Sequence, residues 1–267
     1  GAMPFLHRWL GNPVLSFLGR LFFSVPTSDF HCGIRAFRRD ALAKLGLRTT
    51  GMEFASEMVI KATLAKLRIA EVPTTLSPDG RSRPPHLRSW RDGWRHLRFL
   101  LLFSPRWLFL YPGLFAFLGG LLLSLRLIVG PMSMGSLTLD IHTLMYAALA
   151  TAVGYQAIQF WLFASIYGMR EGIVPWDPRL RAVADVATLE RGLIAALILL
   201  IVGIALGVVA VGNWGALGYG VLPPTSTMRL VIPSATAILI AFQTAYGAFF
   251  VSVLEIRSTR SRMAEPG

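Results

Sequence analysis

The sequence has a single cysteine, and its acidic residues are few. With Cys32 alone the chain cannot form an internal disulfide, so nothing in it argues for an oxidising compartment. It contains no CxxC or HxxxH pair, and its five histidines are scattered, so no metal site is predicted within the chain. The motifs GxGxxG and GxxxxGK[ST] do not occur, so the sequence predicts neither a dinucleotide-binding site nor a phosphate-binding P-loop. No Asp-x-Asp pair occurs either.

Apolar residues are abundant instead, and positive charge outweighs negative charge. Hydrophobic residues make up 54% of the 267, and the mean hydropathy is +0.57. These values are too high for an ordinary soluble protein and indicate membrane spans. Residues 1–106 carry 17 Lys+Arg against 7 Asp+Glu, so most of the net charge of +12 lies there. We expect a basic N-terminal domain beside an anionic surface or ligand. No nucleic-acid partner is predicted, because this charge runs directly into apolar segments.

Four apolar runs are long enough to cross a bilayer, which takes about 20 residues. They lie near residues 107–128, 143–167, 192–212 and 230–254. Arginines concentrate between the second and third runs and after the fourth. The positive-inside rule then predicts a multi-pass membrane protein with its N-terminal domain and C-terminus in the cytoplasm, and we expect a bacterial plasma membrane. Ionisable residues are lacking in mid-span, which disfavours a transporter or channel.

The first hundred residues predict a small α/β arrangement. Residues 15–23 form an apolar helical or interfacial stretch, and residues 53–66 have the periodicity of an amphipathic helix. Two segments, 33–38 and 67–76, are strand candidates. Two strands are too few for an independently stable sheet, so we expect the domain to continue upstream of Gly1.

A basic, tryptophan-rich helix is predicted directly before the first span, within residues 84–106. Its arginines and tryptophans are Arg88, Arg91, Arg95, Arg98, Trp90 and Trp94. This composition is typical of a helix that lies along an anionic membrane surface. An ordinary helix with a solvated basic face is the alternative.

Candidate functional residues fall in three segments. In residues 27–40, Asp29 precedes Arg35 and is placed to orient or deprotonate an acceptor oxygen, although an Asx-turn explains this aspartate equally well. Glu53 and Glu57 share one helix face, where interaction with the helix dipole is the simpler account.

The third segment is the loop SPDGRSRPPH, residues 77–86. It offers the guanidinium groups of Arg81 and Arg83 and the hydroxyl of Ser82, a combination suited to phosphate oxygens. A plain hinge between the domain and the membrane is the alternative.

Taken in order, these segments resemble the polyprenyl-phosphate (dolichol-phosphate) glycosyltransferases of glycosyltransferase family 2. TSDFHCGIRAFRR is similar to the family's Asp-x-x-x-Gly-Phe-Arg acceptor-side motif, and GMEFASEMVIKA to its Glu-containing helix. LRIAEVPTTL is similar to the strand that follows, and GRSR to a Gly-x-Ser-Lys loop. Arg83 stands where the family usually has lysine, and Ser77 where arginine is common. The likeness covers Gly1 to about Pro112.

The resemblance implies a GT-A fold and an inverting transfer of a hexose from a nucleotide sugar to a polyprenyl phosphate. It implies Asp29 and Glu57 as catalytic or pocket acids. The contacts to the acceptor and its phosphate would be Arg35, Arg81, Ser82, Arg83 and Arg88. Mg²⁺ or Mn²⁺ is expected for the full-length enzyme, whose Asp-x-Asp donor site is not in this sequence. We therefore predict no cofactor for these residues and no transferase activity from them alone.

The predicted fold class is α/β, a partial Rossmann-like GT-A domain, followed by an α-helical transmembrane bundle. Its parts are an acceptor-side domain at 1–83, a juxtamembrane helix at 84–106, a four-helix transmembrane domain at 107–256 and a cytoplasmic tail at 257–267. The predicted partners are the bilayer, the polyprenyl phosphate and the nucleotide sugar, and a homo-oligomer is left open. The alternative is a non-catalytic anchor, scaffold or flippase-like partner. A native start at Met3 would favour it over an enzyme with an upstream Asp-x-Asp.

Overall fold

The computed structural model describes residues 9, 11–29, 32–50, 52–75, 89–171 and 177–262. The described residues up to Trp107 form one compact unit, and those from Leu108 onward form a second. The helices of the first unit are α1 (Asn12–Phe23), α2 (Arg39–Ala43), α3 (Met52–Leu64) and α4 (Ser89–Phe103). A π-helical turn, Arg106–Leu110, leads into the second unit, whose elements are α5 (Tyr111–Val129), β1 (Met132–Met134), β2 (Leu137–Leu139), α6 (Ile141–Arg170), α7 (Pro178–Val186), α8 (Leu189–Ala216) and α9 (Pro224–Arg262).

Helices α1, α3 and α4 of the first unit share a small apolar core. Pro13 lies in the first turn of α1, where its missing N–H is not needed. The helix ends at Ser24, which adopts a left-handed conformation and donates its N–H to the carbonyl of Arg20. The buried core residues are Phe23, Val25, Ile60, Phe99 and Leu100, and partly buried side chains around them include Leu15, Leu18, Phe22, Val59, Leu64 and Phe103.

The predicted sheet is not seen in the described part of this unit. Residues 33–38 and 67–75 are irregular, and the sheet present among the described residues is the antiparallel hairpin β1–β2 of the second unit. Neither strand candidate was correct there, because apolar alternation makes a strand only where a neighbouring strand receives its N–H and C=O groups. The described fold is therefore mostly helical rather than α/β. The amphipathic helix predicted at 53–66 is confirmed as α3.

Four helices of the described chain are long and apolar enough to cross a membrane, as predicted. They cover Arg106–Val129, Ile141–Arg170, Leu189–Ala216 and Pro224–Leu254. Most of their surface is exposed within the unit, and that exposed surface is apolar. A bilayer is the solvent that suits such helices, so the chain is an integral, multi-pass membrane protein.

The spans pack mainly as two antiparallel hairpins, α5 with α6 and α8 with α9. Gly120 allows α5 and α6 to approach each other closely, because a Cβ at this position would lie only 2.5 Å from the carbonyl oxygen of Ala147. In the second hairpin, the hydroxyl of Ser234 donates to the carbonyl of Gly203 at 2.7 Å. Small residues at helix contacts are typical of association within membranes.

Polar contacts join the two hairpins through α6 and α9. The Gln159 amide donates to the backbone carbonyl of Gln243 at 3.0 Å, and the hydroxyls of Tyr155 and Thr244 are 2.7 Å apart. Hydrogen bonds of this kind replace the water that apolar lipid cannot supply.

Arg229 of α9 makes a further link at the end of the bundle where α5 ends and α6 begins. One Nη donates to the carbonyl oxygen of Leu127, in α5, and the other pairs with the carboxylate of Asp140. Asp140 is the residue directly before α6. A single guanidinium of α9 thus contacts the ends of two other helices.

Candidate functional site

The loop that follows α1 carries Asp29 and is held by Glu71, which lies on the segment after α3. Both carboxylate oxygens of Glu71 accept hydrogen bonds from the backbone N–H and hydroxyl of Ser28, at 2.9–3.1 Å. One of them also accepts the backbone N–H of Asp29 at 3.0 Å. The N–H groups of Ser28 and Asp29 lower the pKa of Glu71, so the carboxylate is ionised. The backbone at Asp29 is fixed while its side chain faces outward and is exposed.

Arg35 anchors the other end of the same loop to α3. Its Nε donates to the carbonyl of Cys32 at 2.9 Å, and one Nη donates to the carbonyl of Ala55. Burial lowers the pKa of Arg35, and the neighbouring side chains of Cys32 and Asp29 act in the opposite direction. Asp29 is therefore within electrostatic reach of this guanidinium. The structure brings together two of the residues that the sequence singled out, Asp29 and Arg35.

Glu57 has a different environment, since its side chain is only 1% exposed. Its carboxylate accepts the N–H of Arg48 at 3.0 Å, and the N–H and hydroxyl of Thr49 at 2.8 and 2.6 Å. It also pairs with Lys61, one helical turn further along α3, at 2.8 Å. Lys61 in turn donates to the carbonyl of Gly46 at 2.7 Å. These contacts clamp the loop at residues 46–49 onto α3.

The electrostatics of Glu57 follow from those contacts. Burial alone would raise the pKa of Glu57, but hydrogen bonds from Lys61, Thr49 and Arg48 outweigh it and hold the pKa below its ordinary value. The surrounding donors occupy the carboxylate from several sides. This geometry is that of a structural acid, and the predicted catalytic role of Glu57 stays a prediction.

Helix α4, the basic helix of the sequence analysis, is tied to α3 by two polar contacts. The hydroxyl of Ser56 and Nδ1 of His96 are 3.2 Å apart and buried, and Arg95 pairs with Glu53 at 3.3 Å. The side chains of Trp90 and Trp94 remain exposed, as do those of Arg91 and Arg98.

Four of the predicted phosphate contacts lie outside the described residues. They are Arg81, Ser82, Arg83 and Arg88. Their role stays a prediction. Within the described ranges, no three side chains of His, Cys, Asp or Glu come together as a group that could hold a metal ion.

Glu71 and Lys61 were not identified from the sequence. The signal for Glu71 is a lone carboxylate in the otherwise uncharged stretch IAEVPTT, and its partner is more than forty residues away. For Lys61 the signal is its position four residues after Glu57, where a helix brings opposite charges together.

Comparison with known proteins relates the membrane region to glycosyltransferases. Residues 162–255 match the glycosyltransferase family 2 C-terminal transmembrane region. The chain is 33% identical over 259 residues to the low-salt glycan biosynthesis hexosyltransferase Agl6 of Haloferax volcanii, an alignment that covers 95% of this chain and 60% of that relative. No solved structure matches significantly. The chain is thus homologous to a hexosyltransferase of which it spans about three fifths, and its membrane region is related to that of glycosyltransferase family 2.

Proposed function

We propose that this chain is the membrane-anchored, acceptor-side part of an inverting hexosyltransferase that works at the cytoplasmic face of the membrane. The donor is a nucleotide sugar and the acceptor is a polyprenyl phosphate. Homology to a hexosyltransferase over 95% of the chain supports the reaction class. The four spans support an acceptor that resides in the bilayer.

The reaction needs little from a general base. An oxygen of the lipid phosphate, already ionised at neutral pH, attacks the anomeric carbon of the hexose from the face opposite the leaving group. A new carbon–oxygen bond forms as the bond to the nucleoside diphosphate breaks, and the leaving group departs with the electron pair. The residues near the acceptor must therefore hold an anion and orient it, for which cations are suited. A fixed carboxylate can instead orient the sugar by accepting hydrogen bonds from its hydroxyl groups.

The single observation that carries the proposal is the loop of Asp29. Glu71 fixes its backbone, Arg35 ties its far end to α3, and the carboxylate of Asp29 stays exposed within electrostatic reach of Arg35. In this proposal Asp29 lies beside the acceptor and orients the reacting sugar, and Arg35 supports the pocket. Arg81, Ser82, Arg83 and Arg88 bind the lipid phosphate.

The metal of the proposed enzyme is not assigned to this part of the chain. Mg²⁺ or Mn²⁺, expected for the full-length enzyme, would offset charge on the nucleotide diphosphate when bound. The described residues offer no group of three carboxylate, His or Cys side chains for it, so we give none of them that role.

The test uses the full-length protein that contains this chain, in proteoliposomes with a radiolabelled nucleotide hexose and a polyprenyl phosphate. Asp29→Asn should reduce the rate of transfer by about 100-fold, which is the scale of the loss when a reacting group is no longer held in position. Asp40→Asn is the matched control, because Asp40 is also exposed and pairs with the neighbouring Arg38. Wild-type rates in Asp29→Asn would refute the role of Asp29. Failure of the wild-type protein to transfer any hexose would favour the non-catalytic anchor.

The loop at residues 77–86, proposed to bind the lipid phosphate, has its own test. Arg83→Ala should raise the Michaelis constant for the polyprenyl phosphate by about tenfold, since a charge-assisted hydrogen bond contributes roughly 1.5 kcal/mol or more. Arg39→Ala removes an exposed arginine of α2 and serves as the control. An unchanged Michaelis constant in Arg83→Ala would show that the phosphate binds elsewhere.

A further inference from the structure

One side of α1 is apolar and exposed. Val14, Phe17 and Leu21 follow one another at spacings of three and four residues, and 44%, 55% and 40% of their surfaces are exposed. Ser16, Gly19 and Phe23 lie on the opposite, buried side. An apolar stripe of this kind marks a contact surface rather than a water-facing helix side. With 12 residues, α1 is too short to cross a bilayer.

The C-terminal half of α1 packs on Trp107, the last residue of the first unit. The ring of Phe22 stacks on that of Trp107, with centroids 5.3 Å apart and an interplanar angle of 26°. Trp107 is the second residue of the span Arg106–Val129. Tryptophan at the first turn of a span is typical of the boundary between water and lipid. A helix packed on that ring is at the same boundary.

Helix α4, which packs against α1, indicates the same position at the boundary between water and lipid. Leu15, Leu18 and Phe22 of α1 surround the core residues Phe99 and Leu100 of α4. Helix α4 ends only three residues before the span begins, and its exposed side chains include two tryptophans and two arginines. That combination complements anionic headgroups.

The stripe also contains one cation in a suitable position. Arg20 lies between Phe17 and Leu21 in the sequence and is exposed, and its positive charge also acts on the carboxylate of Glu71. A long arginine side chain can lie with its methylenes along apolar surface while its guanidinium reaches the headgroups. The stripe therefore has the composition of an interfacial helix rather than of a contact to a second protein core.

We propose that α1 is an interfacial helix whose side formed by Val14, Phe17 and Leu21 enters the boundary between headgroups and acyl chains of an anionic bilayer. This proposal is independent of the proposed reaction. It also has a positional consequence, because Asp29 follows the end of α1 by six residues. The Asp29 loop then lies close to the depth at which lipid phosphates sit.

The test measures the depth of α1 by spin labelling. In a Cys32→Ser background, a nitroxide is attached after Val14→Cys, Phe17→Cys or Leu21→Cys in the full chain. The control is Lys44→Cys, which is exposed after α2. The protein is reconstituted in vesicles of phosphatidylcholine and phosphatidylglycerol. Labels on the stripe should be several-fold more accessible to oxygen than to a water-soluble nickel chelate, and the Lys44 label should show the reverse.

Two other outcomes would overturn the proposal. If all three labels are open to the nickel chelate, the stripe faces water. If they are closed to both oxygen and nickel, a protein surface covers them, and spin–spin broadening would identify a second copy of this chain.

A matched pair of variants tests the chemistry of the stripe. With the label at Leu21→Cys, Phe17→Glu should move the label toward the nickel-accessible region, because a charge does not enter the acyl boundary readily. Phe17→Leu should leave its depth unchanged. Since Phe17 is exposed, neither change reaches the core of the unit. Equal depths in Phe17→Glu and Phe17→Leu would contradict an apolar membrane contact.

Discussion

The carboxylate of Glu71 accepts the backbone N–H of Asp29 at 3.0 Å across 42 residues of sequence. The same carboxylate also binds both donors of Ser28. A loop without strand pairing is thereby fixed by one side chain at the residue that the proposed reaction uses. Glu71 acts in that reaction through Asp29, as a positioning residue.

Glu71→Ala should reduce the turnover number of the full-length transferase by about 10- to 100-fold, because a small displacement of a reacting group has an effect of this size. Thr74→Ala, exposed on the same segment, should not change it. The measurement is the rate of hexose transfer at saturating substrate.

A double variant separates positioning from a general effect on folding. If Glu71 acts through Asp29, then Glu71→Ala adds little further loss in an Asp29→Asn background. Losses that multiply in the double variant would mean that Glu71 acts on its own.

The buried carboxylate of Glu57 should make the stability of the first unit sensitive to acid. The pKa of Glu57 is depressed in the folded protein, whereas an unfolded glutamate titrates near about 4.3. Its contribution is therefore present above the unfolded pKa and is lost as the pH falls through the folded pKa. We expect the unfolding temperature of the chain in detergent to fall below about pH 5, and Glu57→Gln to flatten that decline.

The same variant, Glu57→Gln, should lower the free energy of unfolding at neutral pH. Glu57→Gln leaves Lys61 without its anionic partner in a buried position, and breaking such a pair costs about 3 kcal/mol or more. Chemical denaturation at pH 7 measures this free energy of unfolding. If the unfolding temperature falls equally steeply at low pH in the wild type and in Glu57→Gln, then Glu57 does not cause the acid sensitivity.

The contact of α5 with α6 offers a test with two neighbouring glycines. Gly120→Ala places a Cβ 2.5 Å from the carbonyl oxygen of Ala147, and overpacking of this kind costs about 1–3 kcal/mol. Gly119→Ala meets no atom within 4 Å and should be neutral. Unfolding of both variants in mixed micelles of detergent and dodecyl sulfate measures the difference. Equal stabilities would mean that the two helices are not in close contact at Gly120.

The pair Arg229–Asp140 should show a favourable coupling energy in a double-mutant cycle. Arg229 and Asp140 are 15% and 29% exposed, so water screens the pair only in part. From Arg229→Leu, Asp140→Asn and the double variant, we expect a coupling of about 1–3 kcal/mol. A coupling near zero would show that Arg229 is held mainly by the carbonyl of Leu127.

The parts of the fold that were predicted correctly depend on local sequence. Hydropathy over about 20 residues identifies a membrane span without knowledge of its neighbours, and the spacing of apolar residues identified α3. The strand candidates failed for the opposite reason. Residues 33–38 have the apolar alternation of a strand, but a strand exists only with a partner, and that partner is not a property of the segment.

The candidate site likewise has residues that the sequence identified and residues that it missed. Asp29 and Arg35 were identified because residue type and spacing resemble a known motif, and their proximity was then found in the structure. Glu71 was missed because its contact with Asp29 is tertiary. The clamp around Glu57 was missed because two of its four donors are backbone N–H groups, those of Arg48 and Thr49. Almost every residue has such a group, and only the fold directs two of them at one carboxylate.

Arg229 makes the two halves of the membrane bundle chemically unequal during biosynthesis. Both of its acceptors, Leu127 and Asp140, belong to the hairpin of α5 and α6, which is synthesised first. That hairpin needs nothing from α9 to neutralise a cation. The later hairpin brings a guanidinium whose carboxylate partner, Asp140, lies on the earlier one. This ion pair therefore forms only when both hairpins are in place.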